Sequence, residues 1–395
     1  MCVHKPGASL LFLWRSRGDP ANVHQGTRRG CCAAHPEGRM RSDVGDLLDQ
    51  LGVKKPQLTL AVGGYELSVT NLEKTLWPGS GRARPLTKRD YLQYLVRVST
   101  WLLPHLEGRP LFVTRYPNGV TGKSFYQKHW DNPPAFVRTV SIYSSHTEGD
   151  GDYLICENLP TLLWLGQMAG LELHPWFSRI DPAPDARGRG RKFSGSEVAL
   201  KKSVLNYPDF VVFDLDPYQY SGREGKGEEP ELHRKAFKRT RDLALRLRDL
   251  LGRLGLKTFV KTSGRTGLHL YLPILRKLDY DAVRSIAETI GRYALQEWPD
   301  EVTLEWSVER RTGKIFFDYN QNTRGKSLAS IFSPRRHPLG TVSMPVDWDN
   351  LERVYPTDFT LRTAPGILEA EGDPWAGILA AKQDLGELLE ATKAG

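Results

Sequence analysis

The segment Val211-Val212-Phe213-Asp214-Leu215-Asp216-Pro217 constrains this chain more than any other. An apolar run of strand-forming residues closed by a proline reads as a β-strand over Phe210 to Leu215. Side chains alternate across a strand, so Asp214 and Asp216 share one face while Phe213 and Leu215 take the other. The two carboxylates then stand roughly 6.5 Å apart along the chain. Ionised carboxylates at close range raise one pKa or require a counter-ion, and a divalent metal would supply that charge. Asp318 closes a second apolar run, Ile315-Phe316-Phe317, with the same alternation. Three such carboxylates can hold two hard metal ions about 4 Å apart, which activate an attacking hydroxyl and stabilise a leaving pyrophosphate. An Asp-x-Asp in a solvated turn binds nothing, but its place at the end of a hydrophobic strand favours the metal reading.

A second motif is Thr262-Ser263-Gly264-Arg265-Thr266-Gly267-Leu268-His269, between two expected strands. Gly264 and Gly267 let backbone amides approach an anion closely, Ser263 and Thr266 add hydroxyls, and Arg265 and His269 add positive or proton-donating groups. The motif reads as a phosphate cradle, the alternative being an ordinary glycine hairpin with His269 packed on a strand face. A triphosphate cradle beside three aspartates points to a nucleotidyltransferase. A metal-dependent nuclease would share the carboxylates without needing the cradle.

At 395 residues the chain exceeds the usual single-domain size, so two domains or one large bilobal domain are expected. No apolar run approaches the roughly 18 residues of a membrane span, and the short apolar stretch from Ala8 to Trp14 lacks a convincing cleavage site; a cytoplasmic location is expected. Three of the four cysteines fall in the first fifty residues without zinc-ligand spacing, which argues against a disulfide framework and a zinc module. The formal charge of +9 makes a polyanionic partner plausible. Residues 1–55 are basic, rich in Gly, Pro and His, and without sustained period, and read as a flexible extension. Thr87-Lys88-Arg89-Asp90 has capping-box spacing and opens a helix carrying Tyr91, Tyr94, Leu95, Val98 and Leu102 on one face. A second apolar helix starts near Pro160. Residues 181–209, with Arg187, Arg189, Arg191, Lys192, Lys201 and Lys202, read as a long basic loop. Thereafter strands at 210–215, 258–261, 268–272 and 314–318 alternate with helices from about Glu231 and over 281–298, giving an α/β or α+β chain with the sheet at the centre.

Together these blocks resemble the polymerase domain of bacterial DNA ligase D, a member of the archaeo-eukaryotic primase superfamily. The resemblance rests on Asp214-Leu215-Asp216-Pro217, on Thr262-Ser263-Gly264 with Gly267-Leu268-His269, and on Gly313-Lys314-Ile315-Phe316-Phe317-Asp318-Tyr319 followed by Gln321-Asn322. Thr70-Asn71-Leu72-Glu73-Lys74-Thr75-Leu76-Trp77-Pro78, Arg109-Pro110, Arg115-Tyr116-Pro117-Asn118-Gly119 and Leu173-His174-Pro175-Trp176-Phe177-Ser178-Arg179 are similar to further blocks of that family, in its order, from about Leu67 to Asp349.

The resemblance implies an α+β, primase-like bilobal domain over 56–380, with an N-terminal lobe at 56–180, the basic insertion at 181–209 and a catalytic core at 210–350. The core would be a mostly antiparallel, RRM-like sheet flanked by helices, and 381–395 a tail. It further implies that Asp214, Asp216 and Asp318 bind two Mn2+ or Mg2+ ions, and that a nucleoside triphosphate meets Ser263, Gly264, Arg265, Thr266 and His269, with Gln321, Arg324, Lys326 and Arg335 nearby. Asn71, Lys74 and Lys88 match positions that hold the 5′-phosphate of a DNA end, and Phe125 and Tyr126 a pair that stacks on the template. The sequence departs from the family at Thr266, where lysine is common, and at His337, where arginine is common. The implied activity is primer extension, preferring ribonucleotides, in gap filling at broken DNA ends with Ku and a separate DNA ligase, by a stand-alone polymerase domain. De novo priming and a non-catalytic end-bridging module are the alternatives.

Overall fold

The computed structural model describes residues 37–217, 231–311 and 313–386. The Phe210–Pro217 strand is central in a six-stranded sheet. It pairs antiparallel with Leu268–Pro273 on one side and Ile315–Asp318 on the other. Phe259–Thr262 and Pro345–Val346 extend the sheet beyond Leu268–Pro273, and Val302–Thr303 adds a short parallel edge next to Ile315–Asp318. Burial along Phe210–Pro217 is nearly continuous because helices Arg234–Arg253 and Tyr280–Glu297 cover one face, against which Phe213 and Phe317 pack with ring centroids 5.5 Å apart. The other face carries the aspartates. Where Ile315–Asp318 ends, Asn322 continues the ladder: its side chain accepts from Val212 N at 2.8 Å and donates to Val212 O at 2.7 Å, satisfying a buried peptide that the strand no longer reaches.

The N-terminal half holds a second sheet, Phe125–Gln127, Pro110–Arg115, Gly149–Ile155 and Arg138–Ser144 in that order, with Gly170–Pro175 also paired to Pro110–Arg115. Helix Lys88–Leu106 packs against helix Leu159–Gln167 and is opened by the expected capping box between Thr87 and Asp90. Helix Leu159–Gln167 leads directly into Gly170–Pro175, with Pro160 in its first turn. One apolar core runs through both halves. The α+β, mostly antiparallel architecture implied by the resemblance is therefore present.

Three expected boundaries are corrected. Residues 37–52 form a helix, not part of a patternless extension, and its Leu47 and Leu51 are buried. Val44, Leu47, Leu48 and Leu51 repeat at helical spacing and supply the apolar stripe that holds it; residues 1–36 lie outside the described structure. The 181–209 segment is not an open loop. It contains helix Glu197–Lys202, and Ala186, Phe193, Leu200, Val204 and Leu205 form a cluster with Phe112, Ile142 and Trp176, leaving Arg187, Arg191, Lys192, Lys201 and Lys202 at the surface. Residues 381–386 are no tail: Gln383 pairs with Lys257, Pro273 and Leu275, and Lys382 is buried among carboxylates.

That burial belongs to an ionic cluster at the start of the Phe210–Pro217 strand. The fully buried Asp209 meets Arg109 at 2.7 Å, Arg179 at 3.0 Å and Arg276 at 3.5 Å, and also Lys382. Asp185 shares Arg276 and Lys382. Burial would raise the Asp209 pKa, but the charges of Arg109, Lys382 and Arg179 outweigh it and hold the carboxyl well below its ordinary range. One carboxylate thereby ties Arg109 beside the second sheet, Arg179 and the C-terminal Lys382 to the start of the central strand.

Candidate active site

Strand register brings four ionisable side chains into one row. Lys261 pairs with His269, His269 with Asp214, and Asp214 with Asp318 across four adjacent strands. Cross-strand neighbours sit close enough to interact directly. Asp216, two residues beyond Asp214, keeps the same face. Burial, then the charges of Asp216 and Asp318, raise the Asp214 pKa well above its ordinary value, and burial also raises that of Asp318. A bound cation would relieve both.

Two observations fit a divalent metal. The donors are all hard carboxylate oxygens, and Asp214 Oδ1 is buried without a hydrogen-bond partner. As they stand, Asp318 accepts from Asn320 N and from Gln321 Nε2, each at 2.9 Å, and among the described residues no three His, Cys, Asp or Glu side chains are already set around a single metal position.

Beside the acids is a cavity of about 250 Å³ lined by Asp214, Asp216, Ser263, Arg265, Thr266, His269, Gln321 and Arg335, together with His174, Pro217 and Ser327 to Ala329. The Thr262–Leu268 turn forms one wall. Its backbone is organised inward: Ser263 Oγ accepts from Gly267 N at 3.0 Å and from Arg265 N at 3.2 Å. Those two amides are therefore not the anion donors expected from the glycine pattern. Ser263 Oγ, with its acceptor positions occupied, retains its proton to donate. Gly264 has φ +74°, and a Cβ there would meet Arg335 and the Val342–Ser343 backbone. Gly267 abuts the Phe210–Pro217 strand, where a Cβ would lie 2.4 Å from Leu215 O and 2.6 Å from Asp216 Oδ1. Arg335 crosses the cavity, donating to Glu172 at 3.0 Å and to the Ser263 carbonyl at 2.7 Å. Burial would raise the Glu172 pKa, but Arg335 and His174 hold that carboxyl far below its ordinary range.

Two expected nucleotide contacts lie elsewhere. The Arg324 guanidinium is directed to Asn206 at 2.6 Å and to Glu197, fastening the 181–209 segment to the core, so it is engaged away from the cavity. Lys326 is exposed and outside the cavity wall, although its charge reaches Asp318. Lys261, Glu172 and His174 had gone unassigned. The sequence signal for Lys261 was a lysine inside an apolar strand, a place where such a residue occurs only with partners.

Asn71, Lys74 and Lys88 gather at a separate point. Lys74 N donates to Asn71 O at 3.0 Å and Lys88 N to Lys74 O at 2.9 Å. Asn71 has φ +55° and is exposed. The Lys74 ammonium donates to Asn118 at 2.8 Å, and the Lys88 ammonium to the Gln167 carbonyl at 3.0 Å. Burial and the Lys74 charge lower the Lys88 pKa to about 8. Phe125 and Tyr126 are exposed by 49% and 53% on the Phe125–Gln127 edge strand. The Tyr126 ring lies 6.1 Å from His174 of the cavity wall, which puts Tyr126 at the cavity's rim.

The family model for the LigD primase-polymerase domain matches residues 87–375. The chain belongs to that family. It is thus a nucleotidyltransferase of the polymerase-primase type. A bifunctional non-homologous end joining protein LigD of Bacillus subtilis is 30% identical over 322 residues, which are 81% of this chain and 45% of that protein. A multifunctional non-homologous end joining DNA repair protein LigD of Mycobacterium tuberculosis is 31% identical over 287 residues, 72% of this chain and 33% of its own length. The chain thus spans less than half the length of these relatives. Among solved structures, the polymerase domain of Mycobacterium tuberculosis ligase D in complex with DNA superposes with a TM-score of 0.65 at 27% identity, covering 80% of this chain and 99% of that one. Among the described residues of this LigD-type domain, no helix is long and apolar enough to cross a membrane.

Proposed function

We propose that this LigD-type domain extends a primer on a DNA template at broken ends, adding nucleotides from nucleoside triphosphates, with ribonucleotides preferred. The observation that carries the proposal is the meeting of Asp214, Asp216 and Asp318 on one sheet face beside a cavity furnished with Ser263, His269, Arg265 and Arg335. Asp214, Asp216 and Asp318 would hold divalent Mn2+ or Mg2+. Such ions, when bound, lower the pKa of the primer hydroxyl and neutralise charge on the phosphates. The side chains have their own tasks. Ser263 and His269 donate to triphosphate oxygens, and the fixed guanidinium of Arg335, anchored by Glu172, neutralises charge without reorganising. Tyr126 at the rim and its neighbour Phe125 offer stacking faces for template bases. Lys74, Lys88 and Asn71, apart from the cavity, would receive the 5′-phosphate across a gap. DNA is the proposed partner, with Ku and a separate ligase as further partners.

The test is extension of a labelled primer on gapped DNA carrying a downstream 5′-phosphate, with NTPs or dNTPs and Mn2+ or Mg2+, comparing wild type with Asp214→Ala. Metal-dependent addition abolished by the substitution is expected. Tight end binding without addition by wild type would refute the polymerase reading in favour of an end-bridging module.

A further inference from the structure

We infer that the outward basic face of residues 187–202 binds phosphates of the duplex on the primer side of a gap, at the opposite end of the cavity from Lys74 and Lys88. The DNA in this statement rests on the proposed function; the fixed basic face and its place do not.

Between Ala186 and Pro208 one carboxylate, Glu197, faces the charges of Arg187, Arg189, Arg191, Lys192, Lys201 and Lys202. Glu197 is engaged by Arg324, with Lys201 at 4.0 Å, and Arg189 lies over the Tyr207 ring at 3.9 Å. Arg187, Arg191, Lys192 and Lys202 are exposed and pair with no carboxylate among the described residues. Surface cations in that state are open to a polyanion. Their backbone is held in place. Val204 N donates to Gly190 O at 2.8 Å, which joins the 187–192 run to the end of the Glu197–Lys202 helix. Tyr143 N donates to Phe193 O at 2.9 Å, and Gly195 N to Asp150 at 2.8 Å. Binding an anion here need not order a loop first, which lowers its entropic cost.

Strand alternation gives the face its position. His174 lines the cavity and pairs with Phe112 across the second sheet; Trp176, two residues on, keeps the same side. Phe112 and Trp176 belong to the apolar cluster that Phe193, Leu200, Val204 and Leu205 cover. The 187–202 segment therefore packs on the sheet face that carries the cavity wall. At the other end of the same strand, Gly170 lies just after Gln167, whose carbonyl receives the Lys88 ammonium. Gly170 to Trp176 spans roughly 20 Å at strand rise, with His174 between them. That is about six nucleotide steps of 3.4 Å, so one gapped DNA can meet both ends. Two exposed lysines lead from the cavity to the basic face: Lys128, whose ammonium is 5.5 Å above the Phe112 ring, and Lys326, adjacent to Ser327 of the cavity wall. Duplex leaving the cavity away from Lys74 and Lys88 passes these two and then meets the 187–202 cations.

The experiment is fluorescence anisotropy of the full chain on gapped DNA, without nucleotide, from about 50 to 200 mM salt. The primer-side duplex is made shorter than half a helical turn or longer than a full turn, with the downstream duplex and its 5′-phosphate unchanged; a second series varies the downstream duplex instead. Wild type should bind the long primer-side duplex more tightly than the short one, and the advantage should shrink as salt rises. Three phosphate contacts carry a salt slope of about −2.7, roughly a fortyfold change over that range. The variant combining Arg187→Gln, Arg191→Gln and Lys192→Gln changes only exposed side chains. It should lose most of the advantage, with a slope on the long duplex shallower by about 2 to 3, while affinity for the short duplex and preference for a 5′-phosphate stay as in wild type. Lys235→Gln, Lys238→Gln and Arg239→Gln together remove the same charge from exposed positions of helix Arg234–Arg253, behind the central sheet, and should leave the advantage intact. An equal loss in this control overturns the inference, as does a loss that follows the downstream duplex, or a 187–192 variant with the wild-type slope and advantage. Wild type that shows the advantage yet adds no nucleotide counts against the polymerase reading and leaves the basic face assigned; wild type that binds no DNA removes both.

Discussion

Replacing Asp209 by Asn keeps the shape of the side chain and removes the one charge that four cations share. Arg109 and Arg276 are themselves buried, so they cannot turn to water when the carboxylate goes. Asp185 still faces Arg276 and Lys382, which leaves Arg109 the least compensated. Breaking one side of a buried ion pair costs about 3–5 kcal/mol, and that is the expected loss, seen as a fall in Tm of roughly 6 °C or more. Urea denaturation of wild type, Asp209→Asn, Lys382→Met and the double variant measures it, and the double variant should lose less than the sum because the two groups are in contact. The pH dependence has a definite sign. Asp209 has a folded pKa below its unfolded value of about 3.9, so its contribution is complete above that value and is lost as pH falls toward the folded pKa. Wild type should therefore weaken below about pH 4, and Asp209→Asn should show a flatter profile there. A loss under about 1 kcal/mol, the value of an exposed pair, together with additive behaviour, would refute the picture of a buried ionic hub.

Further outcomes concern the site. Gly267→Ala drives a methyl into Leu215 O and Asp216, so nucleotide addition should fall roughly a hundredfold through misplacement of the Asp214–Asp216 strand; wild-type rates would mean that the turn yields freely. The Lys88 ammonium loses its proton as pH rises through about 8, so preference for a 5′-phosphorylated gap should be strongest below that pH and decline above it, and Lys88→Met should abolish the preference at every pH. A preference independent of pH from 7 to 9.5 by fluorescence anisotropy would place the phosphate elsewhere. Tyr126→Ala should weaken binding of gapped DNA by about 1–3 kcal/mol, the value of one stacked base, while leaving thermal stability nearly unchanged because the ring is half exposed.

The acidic trio was legible because a strand has period two: Asp214 and Asp216 had to share a face, and the apolar residues between them had to take the other. The capping box at Thr87 and the glycine turn after Thr262 were legible for the same local reason. The Val44–Leu51 stripe was also present in the sequence, but a basic, glycine-rich surrounding concealed four residues at helical spacing. Other features depend on contacts between residues distant along the chain, which no local pattern encodes. Register alone sets Asp318 opposite Asp214 and His269 opposite Lys261, making one row from four strands. The basic composition of 181–209 suggested a long open loop, yet burial of its apolar residues and the pairing of Arg324 with Glu197 gave the segment a place in the core. Asp209 looked like the end of that loop, and only tertiary packing made it a buried hub by surrounding it with cations from four parts of the chain. The sequence by itself determined which side chains could do chemistry, since alternation and turn geometry are local. The tertiary structure decided which of them meet, because desolvation and charge pairing are settled only when distant segments close around them.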